Sequence, residues 1–153
     1  MSEKNMWTNV RKKMIPQFWL EATRHEDAYQ RGIADVSFVQ SGAIVQPFTK
    51  GERRIARHGW MELKFRGMAP VRASTICKLD HYTDEQRIWL RDKGNAGGMT
   101  FLLLQLGRSF LLFDHVQCQT VGLVTSAELY DLACWHHDGL DARGLWEAIN
   151  EFG

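Results

Sequence analysis

The chain has 153 residues, of which 44% are hydrophobic and 24% charged, a composition typical of one ordinary globular domain. It contains no run of eighteen apolar residues, which excludes a membrane-spanning helix by hydropathy, and its start lacks the apolar stretch of a secretory signal. The formal net charge is +1, which taken alone argues against a nucleic-acid partner. Three scattered cysteines without a CxxC pair favour a reducing, cytoplasmic compartment.

The near-neutral total hides two parts of opposite charge. Residues 1–93 hold 17 Lys/Arg and 11 Asp/Glu, a net charge of +6. Residues 94–153 hold 2 Lys/Arg and 7 Asp/Glu, a net charge of −5. Charge separated in this way is typical of a protein with a polyanion-binding face, and a chance split in a small protein is the alternative.

The predicted elements, taken in chain order, mix helices and strands. The first is a helix near 6–31, where apolar residues recur at i, i+4 spacing and Pro16 predicts a break or kink. After it we predict a strand near 34–40, a loop or ragged hairpin over 41–58, a strand over 59–66, a helix near 83–93, strands over 99–106 and 109–116, and helices near 126–137 and 142–151. This order predicts a single α/β domain over 1–153, with helices on both sides of a sheet.

Local signals sharpen three of these elements. Thr83 with Gln86, and Thr125 with Glu128, fit the capping box that opens a helix. The nearly continuous apolar run over 99–106 is typical of a central strand that is covered on both faces.

Charged residues on two predicted strands form the most informative pattern. Glu62 and Lys64 lie two positions apart, so on a strand they share one face, while the apolar residues between and beside them face a core. Asp35 begins the preceding strand. If the two strands pair, a carboxylate from each converges beside the lysine.

Two adjacent carboxylates repel each other unless a cation compensates their charge. Mg²⁺ is suited to this, since it takes one or two carboxylates and keeps several waters, and it can activate a bound water near a phosphate. Lys64 could then position or help deprotonate the attacking water, or stabilise the phosphate in the transition state. The alternative is a surface ion pair between Glu62 and Lys64, with Asp35 as a turn residue.

Three segments that carry these residues together resemble a known family. RHEDAYQRGIADVSF, HGWMELKF and LDHYTDEQRIWLRDKGNAGGMTFLLLQLG resemble the PD-(D/E)XK nuclease superfamily, in particular small virus-type replication-repair nucleases and Holliday-junction-resolvase-like members. The likeness covers residues 24–107 and departs from the family at Ala34, where proline is usual. It implies a restriction-endonuclease-like mixed β-sheet flanked by helices and a phosphodiesterase that depends on Mg²⁺ or Mn²⁺.

The resemblance also implies a set of site residues. The set comprises the metal ligands Asp35, Glu62 and Glu26, the catalytic lysine Lys64, and the active-site glutamine Gln86. Glu26 would be a helical acid, for which a solvated helix face is the alternative reading and Glu21 a second candidate. Because Gln86 also occupies the third position of a capping box, we expect capping and an active-site role to exclude each other.

Basic residues surround the acidic pattern. The candidates for DNA binding are Arg53, Arg54, Arg57, Arg66, Arg72, Lys78, Arg87 and Arg91. Several of them lie in the segment that joins the two acidic strands, where a DNA backbone would have to pass. For each residue alone, an ordinary solvated side chain is the alternative.

These expectations combine into a metal-dependent DNA endonuclease. We expect branched or structured DNA, such as a Holliday junction, because the chain is too small to carry a separate sequence-reading domain. Symmetric cutting would need a homodimer, with the helices over 126–151 or the first helix at its interface. The alternative is a non-catalytic nuclease-fold module of a phage or prophage that binds DNA or protein; an RNA or exonuclease activity would use the same site. We expect a cytoplasmic protein of a bacterial host, without membrane association.

Overall fold

The computed structural model describes residues 2–26, 32–42, 44–48, 51–54 and 56–153, and for 44–48 and 51–54 it describes the backbone alone. The elements in chain order are α1 (Glu3–Met14), β1 (Trp19–Arg24), β2 (Val36–Gln40), β3 (Ile44–Phe48), β4 (Gly51–Arg54), β5 (Arg57–Arg66), α2 (Asp84–Asn95), β6 (Met99–Leu106), β7 (Ser109–Asp114), a 3₁₀ turn (Gln117–Gln119), α3 (Ser126–Leu132), β8 (Trp135–Asp138) and α4 (Ala142–Phe152).

Six of the strands form one mixed sheet, in the order β1-β2-β5-β6-β7-β8. Only β5 and β6 run parallel in it; the other neighbours are antiparallel. A parallel pair needs a crossover connection, and α2 lies in that connection. β3 and β4 form a separate hairpin, in line with the ragged hairpin that was one reading of 41–58. The predicted α/β class is therefore confirmed.

The sheet separates two apolar cores. On one face α1 and α4 pack against the sheet, and on the other face α2 and α3 do so. We call these the α1 face and the α2 face. Every residue of β6 is buried, because side chains of this strand enter both cores in alternation, which confirms the predicted central strand. In the described part of the chain, no helix has the length and apolar character needed to cross a membrane.

The first predicted helix is too long. Its apolar rhythm is real only through Met14, where α1 ends two residues before Pro16, which cannot continue a helix. The segment that follows forms β1 at the edge of the sheet. Trp19 is buried there, with its ring stacked on Phe38 at 4.5 Å and its indole N–H donating to Gln40 Oε1 at 2.9 Å.

The helix predicted near 126–137 is also too long. α3 ends at Leu132, and the chain then forms β8, which pairs with β7. The turn is closed by the Cys134 amide, which donates to the Leu112 carbonyl at 2.9 Å. β8 is an exposed four-residue edge strand of sequence WHHD, so no alternation of apolar and polar residues marked it in advance.

Candidate active site

The two strands that carry the acidic pattern pair with each other, which is the condition for their carboxylates to converge, and they run antiparallel. Val36 pairs with Met61, so the register places Asp35 next to Glu62, where β2 begins. The backbone N–H of Leu63 donates to Asp35 Oδ2 at 2.9 Å. Asp35 is therefore tied directly to the residue that lies between Glu62 and Lys64.

Glu62 and Lys64 form an ion pair inside the protein. Their side chains are 0% and 4% exposed, and Lys64 Nζ lies 2.8 Å from Glu62 Oε1. Lys64 Nζ also donates to the backbone carbonyl of His81 at 3.1 Å. His81 has φ +62°, in the left-handed region that non-glycine residues rarely adopt, so the loop is bent specifically where it meets the lysine.

Gln86 serves the helix cap and the site at the same time. The side-chain oxygen Oε1 of Gln86 accepts from the backbone N–H of Thr83 at 2.9 Å. The backbone N–H of Gln86 donates to Thr83 Oγ1 at 3.2 Å, which completes the capping box. Its Nε2 donates to Glu62 Oε1 at 2.8 Å. The expectation that capping keeps the Gln86 side chain from the site is wrong, because the acceptor and donor ends of one amide group serve different partners; its active-site role stays a prediction.

Gly32 holds the loop before Asp35 against the start of α2. It has φ +91°, and a Cβ at this position would lie 2.9 Å from the carbonyl oxygen of Glu85. Only glycine accommodates both the conformation and the close approach. This contact brings the chain that leads to Asp35 next to the helical turn that carries Gln86.

The two oxygens of Glu62 have different surroundings. Oε1 receives both donors, Lys64 Nζ and Gln86 Nε2. Oε2 is buried and has no hydrogen-bond partner among the described residues. Burial and the negative charge of Asp35 raise the pKa of Glu62 to about 8, against the opposing effect of Lys64. Without a cation, Glu62 therefore holds its proton to a higher pH than a free carboxyl group does.

A divalent cation would meet the needs of this pair. Carboxylate oxygens are the ligands that Mg²⁺ and Mn²⁺ prefer. Glu62 Oε2 is buried and receives no hydrogen bond from the described residues, so it is available to such an ion. The described residues contain no group of three or more His, Cys, Asp or Glu side chains that could enclose a metal. The donor set fits an ion held by two carboxylates that keeps waters of its own, as Mg²⁺ commonly does.

Glu3 is a further acid near this site, and it was not among the predicted residues. It lies in the first turn of α1, which begins after the N-cap Ser2. Burial raises the pKa of Glu3, the Lys64 ammonium opposes this rise and Asp35 adds to it, so Glu3 lies within electrostatic reach of both. Because the sequence pattern predicted a helix from residue 6 onward, its first turn was left out; Ser2 followed by an acid was the available signal.

Glu26 does not lie on a helix, which corrects the prediction of a helical acid. It follows the end of β1, its side chain is 78% exposed, and it lies 3.9 Å from Arg24 Nε. Arg24 also lies 4.0 Å from Glu3. The described contacts thus join Glu26 to Arg24 rather than to the Glu62–Lys64 pair, and its role as a metal ligand stays a prediction. Glu21, the second candidate, is an exposed residue of β1.

Two of the predicted DNA-binding residues donate hydrogen bonds to backbone carbonyls of the protein itself. Arg66 donates to the carbonyls of Met68 at 2.8 Å and Lys78 at 2.6 Å. Arg87 donates to the carbonyls of Gln119 and Val121 and lies over the Tyr82 ring at 4.1 Å. Their guanidinium groups hold loops in place, and a role of either residue in DNA binding stays a prediction.

The remaining basic candidates are distributed more openly. Arg72 and Lys78 are exposed in the loop after β5, and Arg57 is half-buried at the start of β5. Arg91 is exposed on α2 and lies 3.0 Å from Asp92. Arg53 and Arg54 belong to β4, and their side chains lie outside the described residues. Arg72 and Lys78 are therefore the clearest candidates for phosphate contacts.

Comparison of the chain with models of protein families, with curated proteins and with solved structures finds no match.

Proposed function

We propose that this protein is a metal-dependent nuclease that hydrolyses phosphodiester bonds in DNA, with a restriction-endonuclease-like fold of the PD-(D/E)XK type. The observation that carries the proposal is the buried Glu62–Lys64 pair beside Asp35, with one carboxylate oxygen left unpartnered. The mixed sheet flanked by helices is compatible with the fold that the resemblance implies.

Stability alone is a poor explanation for this pair. Moving a carboxylate and an ammonium out of water costs several kcal/mol each, and apolar residues of similar size are often at least as stable in their place. Perturbed ionisable groups that are held together in a protein interior are typical of functional sites. The pair is better explained by chemistry that needs its charges.

The carboxylates of Asp35 and Glu62 would hold Mg²⁺ or Mn²⁺. Such an ion, when bound, supplies Lewis-acid stabilisation of the phosphate and a more acidic water. Gln86 and Lys64 both contact Oε1, and they thereby fix the carboxylate so that Oε2 stays free for a ligand. Glu3 adds negative charge at the margin of the site.

Lys64 has one donor to spare. Its ammonium group carries three N–H bonds, of which two are directed to Glu62 and to the His81 carbonyl, and the described residues supply no acceptor for the third. That donor can orient the attacking water or bind a phosphate oxygen as negative charge develops on it. Water then adds across the P–O bond and leaves a phosphate on one strand end and a hydroxyl on the other.

The preference for DNA rests on charge. The +6 part of the chain, residues 1–93, contains every candidate site residue, so a polyanion would approach the site along favourable potential. Branched DNA and a homodimer remain part of the proposal, since two symmetric cuts need two copies of this single site.

A cleavage assay tests the proposal. Labelled four-way junctions, duplex DNA, single-stranded DNA and RNA are incubated with Mg²⁺, Mn²⁺ or EDTA, using the wild type, Asp35→Asn and Lys64→Met. Asp138→Asn is the matched control, because Asp138 is an exposed acid on the edge strand β8. We expect metal-dependent cutting of DNA by the wild type and the control, and none by the two site variants. If the wild type binds DNA but leaves every substrate intact with both metals, the non-catalytic module is the correct reading. Cutting that survives both site substitutions would place the active site elsewhere.

A further inference from the structure

We propose that the loop over 67–82 carries an apolar wedge, formed by Met68 and Val71, that separates a base pair close to the scissile phosphate. This inference rests on the proposed nuclease function and deepens it. It assigns the substrate class as DNA in which paired strands part, at a branch point or an end, instead of continuous duplex.

The wedge consists of unusually exposed apolar side chains. Met68 is 70% exposed and Val71 is 99% exposed, the two highest values among the large hydrophobic side chains of the described residues. Single exposed apolar residues are common on protein surfaces. Two of them within four residues, with Pro70 between them, form a local apolar projection.

Hydrogen bonds hold the base of the loop, while the apolar side chains at its tip are exposed to solvent. Arg66 donates to the carbonyls of Met68 and Lys78, at 2.8 and 2.6 Å, and so ties the two limbs of the loop together. Cys77 is buried, and its N–H donates to the Val124 carbonyl at 2.9 Å. A projection fixed in this way needs little further ordering when it inserts into a substrate.

Both ends of the loop adjoin the candidate active site. The loop leaves β5 two residues after Lys64, and it returns at His81, whose carbonyl accepts from Lys64 Nζ. The four residues from Lys64 to Met68 span at most about 14 Å, which corresponds to about four base-pair steps of 3.4 Å. Met68 therefore lies within about four base-pair steps of Lys64, close enough to act beside the phosphate that the site would hold.

The charge of the loop favours DNA over a protein partner. Residues 66–82 include Arg66, Arg72 and Lys78 against the single acid Asp80, a net charge of +2. Arg72 and Lys78 follow the apolar tip in the chain, and both are exposed and can contact the backbone phosphates. Apolar wedges flanked by basic residues are a known means of unstacking base steps, at a cost of a few kcal/mol per step.

The test compares paired and pre-opened substrates. Met68→Ala/Val71→Ala is assayed on a four-way junction that is fully paired at its centre, and on the same junction with two unpaired bases there. Leu20→Ala/Val116→Ala, two exposed apolar residues on β1 and after β7, is the matched control. We expect the wedge variant to cut the paired junction about ten-fold more slowly and the pre-opened junction at nearly the wild-type rate, because opening is what the wedge contributes. If the wedge variant is slowed relative to the wild type by the same factor on both junctions, or on neither, the wedge is overturned.

A binding readout keeps this test separate from the nuclease proposal. In an Asp35→Asn background, 2-aminopurine at the junction centre reports unstacking without cleavage. Its fluorescence should rise when protein with the wedge binds, and the rise should be lost with Met68→Ala/Val71→Ala at equal occupancy. No rise at saturating protein would overturn the wedge even if the wild type is an active nuclease. A rise in this background, together with a wild type that cuts no substrate, would support the wedge and count against the proposed catalysis.

Discussion

The two faces of β5 are buried to a similar extent and hold opposite kinds of side chain. On the α1 face, Met61 and Leu63 are fully buried in an apolar core. On the α2 face, Glu62 and Lys64 are 0% and 4% exposed and form an ion pair. One strand therefore contributes to the apolar core on one side and to the candidate site on the other, with alternate residues.

This difference separates stability from chemistry at the level of single residues. Burying Leu63 contributes about 1.5–3 kcal/mol through its apolar surface. Burying Glu62 and Lys64 brings no such gain, because the loss of hydration offsets much of their attraction. Substitutions of β5 residues on the α1 face should therefore change mainly the free energy of unfolding, and substitutions of the ion pair on the α2 face mainly the cleavage rate.

The largest effect is expected from replacing the ion pair. Glu62→Leu/Lys64→Met should lower DNA cleavage at least ~1000-fold, equivalent to about 4 kcal/mol of transition-state stabilisation. The free energy of unfolding should change by no more than about 2 kcal/mol, because apolar side chains replace buried charges. Cleavage kinetics and urea unfolding measure the two effects. A loss of about 5 kcal/mol in the free energy of unfolding would show that the pair stabilises the fold, and the two faces of β5 would then not differ in this way.

Leu63→Ala should show the reverse pattern. We expect the free energy of unfolding to fall by about 2–5 kcal/mol, because the substitution leaves a cavity in the α1-face core. The Leu63 N–H that binds Asp35 is retained, so the folded fraction should cut DNA at close to the wild-type rate. Urea unfolding and cleavage below the unfolding transition check this. A stability change within about 0.5 kcal/mol would contradict the burial of Leu63, since losses that small are typical of surface sites.

The pH dependence of stability should be steep for the metal-free protein. The folded state raises the pKa of Glu62 from 4.5 to about 8, so between these values it binds more protons than the unfolded state. The contribution is fully present below pH 4.5 and is lost as the pH rises through 8, with a slope of at most about 1.4 kcal/mol per pH unit. Unfolding in EDTA across this range measures the slope.

Glu62→Gln is the control for this slope. The variant cannot ionise at this position, so its unfolding curve should be flatter, with a smaller slope left by Glu3, whose pKa burial also raises. Above pH 8, Mg²⁺ should return to the wild type the stability that it loses in EDTA, because an ion that binds only the folded site stabilises the folded state. Mg²⁺ should have no such effect on Glu62→Gln. A wild type as flat as the variant would refute the raised pKa.

The smallest effects on stability are expected from substitutions in the two capping boxes, at Gln86 and Glu128. Gln86→Ala and Glu128→Ala should each cost about 0.3–1.5 kcal/mol, because each removes one half of a capping box. Only Gln86 also contacts Glu62, whereas Glu128 is exposed. The pH profile of cleavage should therefore shift in Gln86→Ala and stay unchanged in Glu128→Ala. If both profiles stay unchanged, the Gln86–Glu62 bond has no part in activity.

The parts of the site that follow from local periodicity could be predicted from the sequence. Two-residue alternation places Glu62 and Lys64 on one face and Leu63 on the other, and the structure confirms this placement. The capping boxes were predicted for the same reason, since they depend on residues three positions apart.

The remaining parts depend on contacts between distant segments. Glu3 interacts electrostatically with Asp35 and Lys64 only because α1 packs on the sheet. The second bond of Gln86 depends on the position of α2 against β5, which no local pattern encodes. Arg66 and Arg87 carry the same charge as Arg72, and only the fold decides which of them donate to internal carbonyls.

The parallel pairing of β5 with β6 has a consequence for the timing of folding during synthesis. Lys64 pairs with Leu104, forty positions later in the chain. α2 is fastened to β6 by the Thr100 hydroxyl, which donates to the Leu90 carbonyl at 3.2 Å. We therefore expect Gln86 to reach Glu62 only after β6 has joined the sheet, so that a growing chain that already contains every candidate site residue does not yet assemble them. At about 5–20 residues per second, synthesis of the 15 residues from Asp92 to Leu106 delays the assembled site by about 1–3 s.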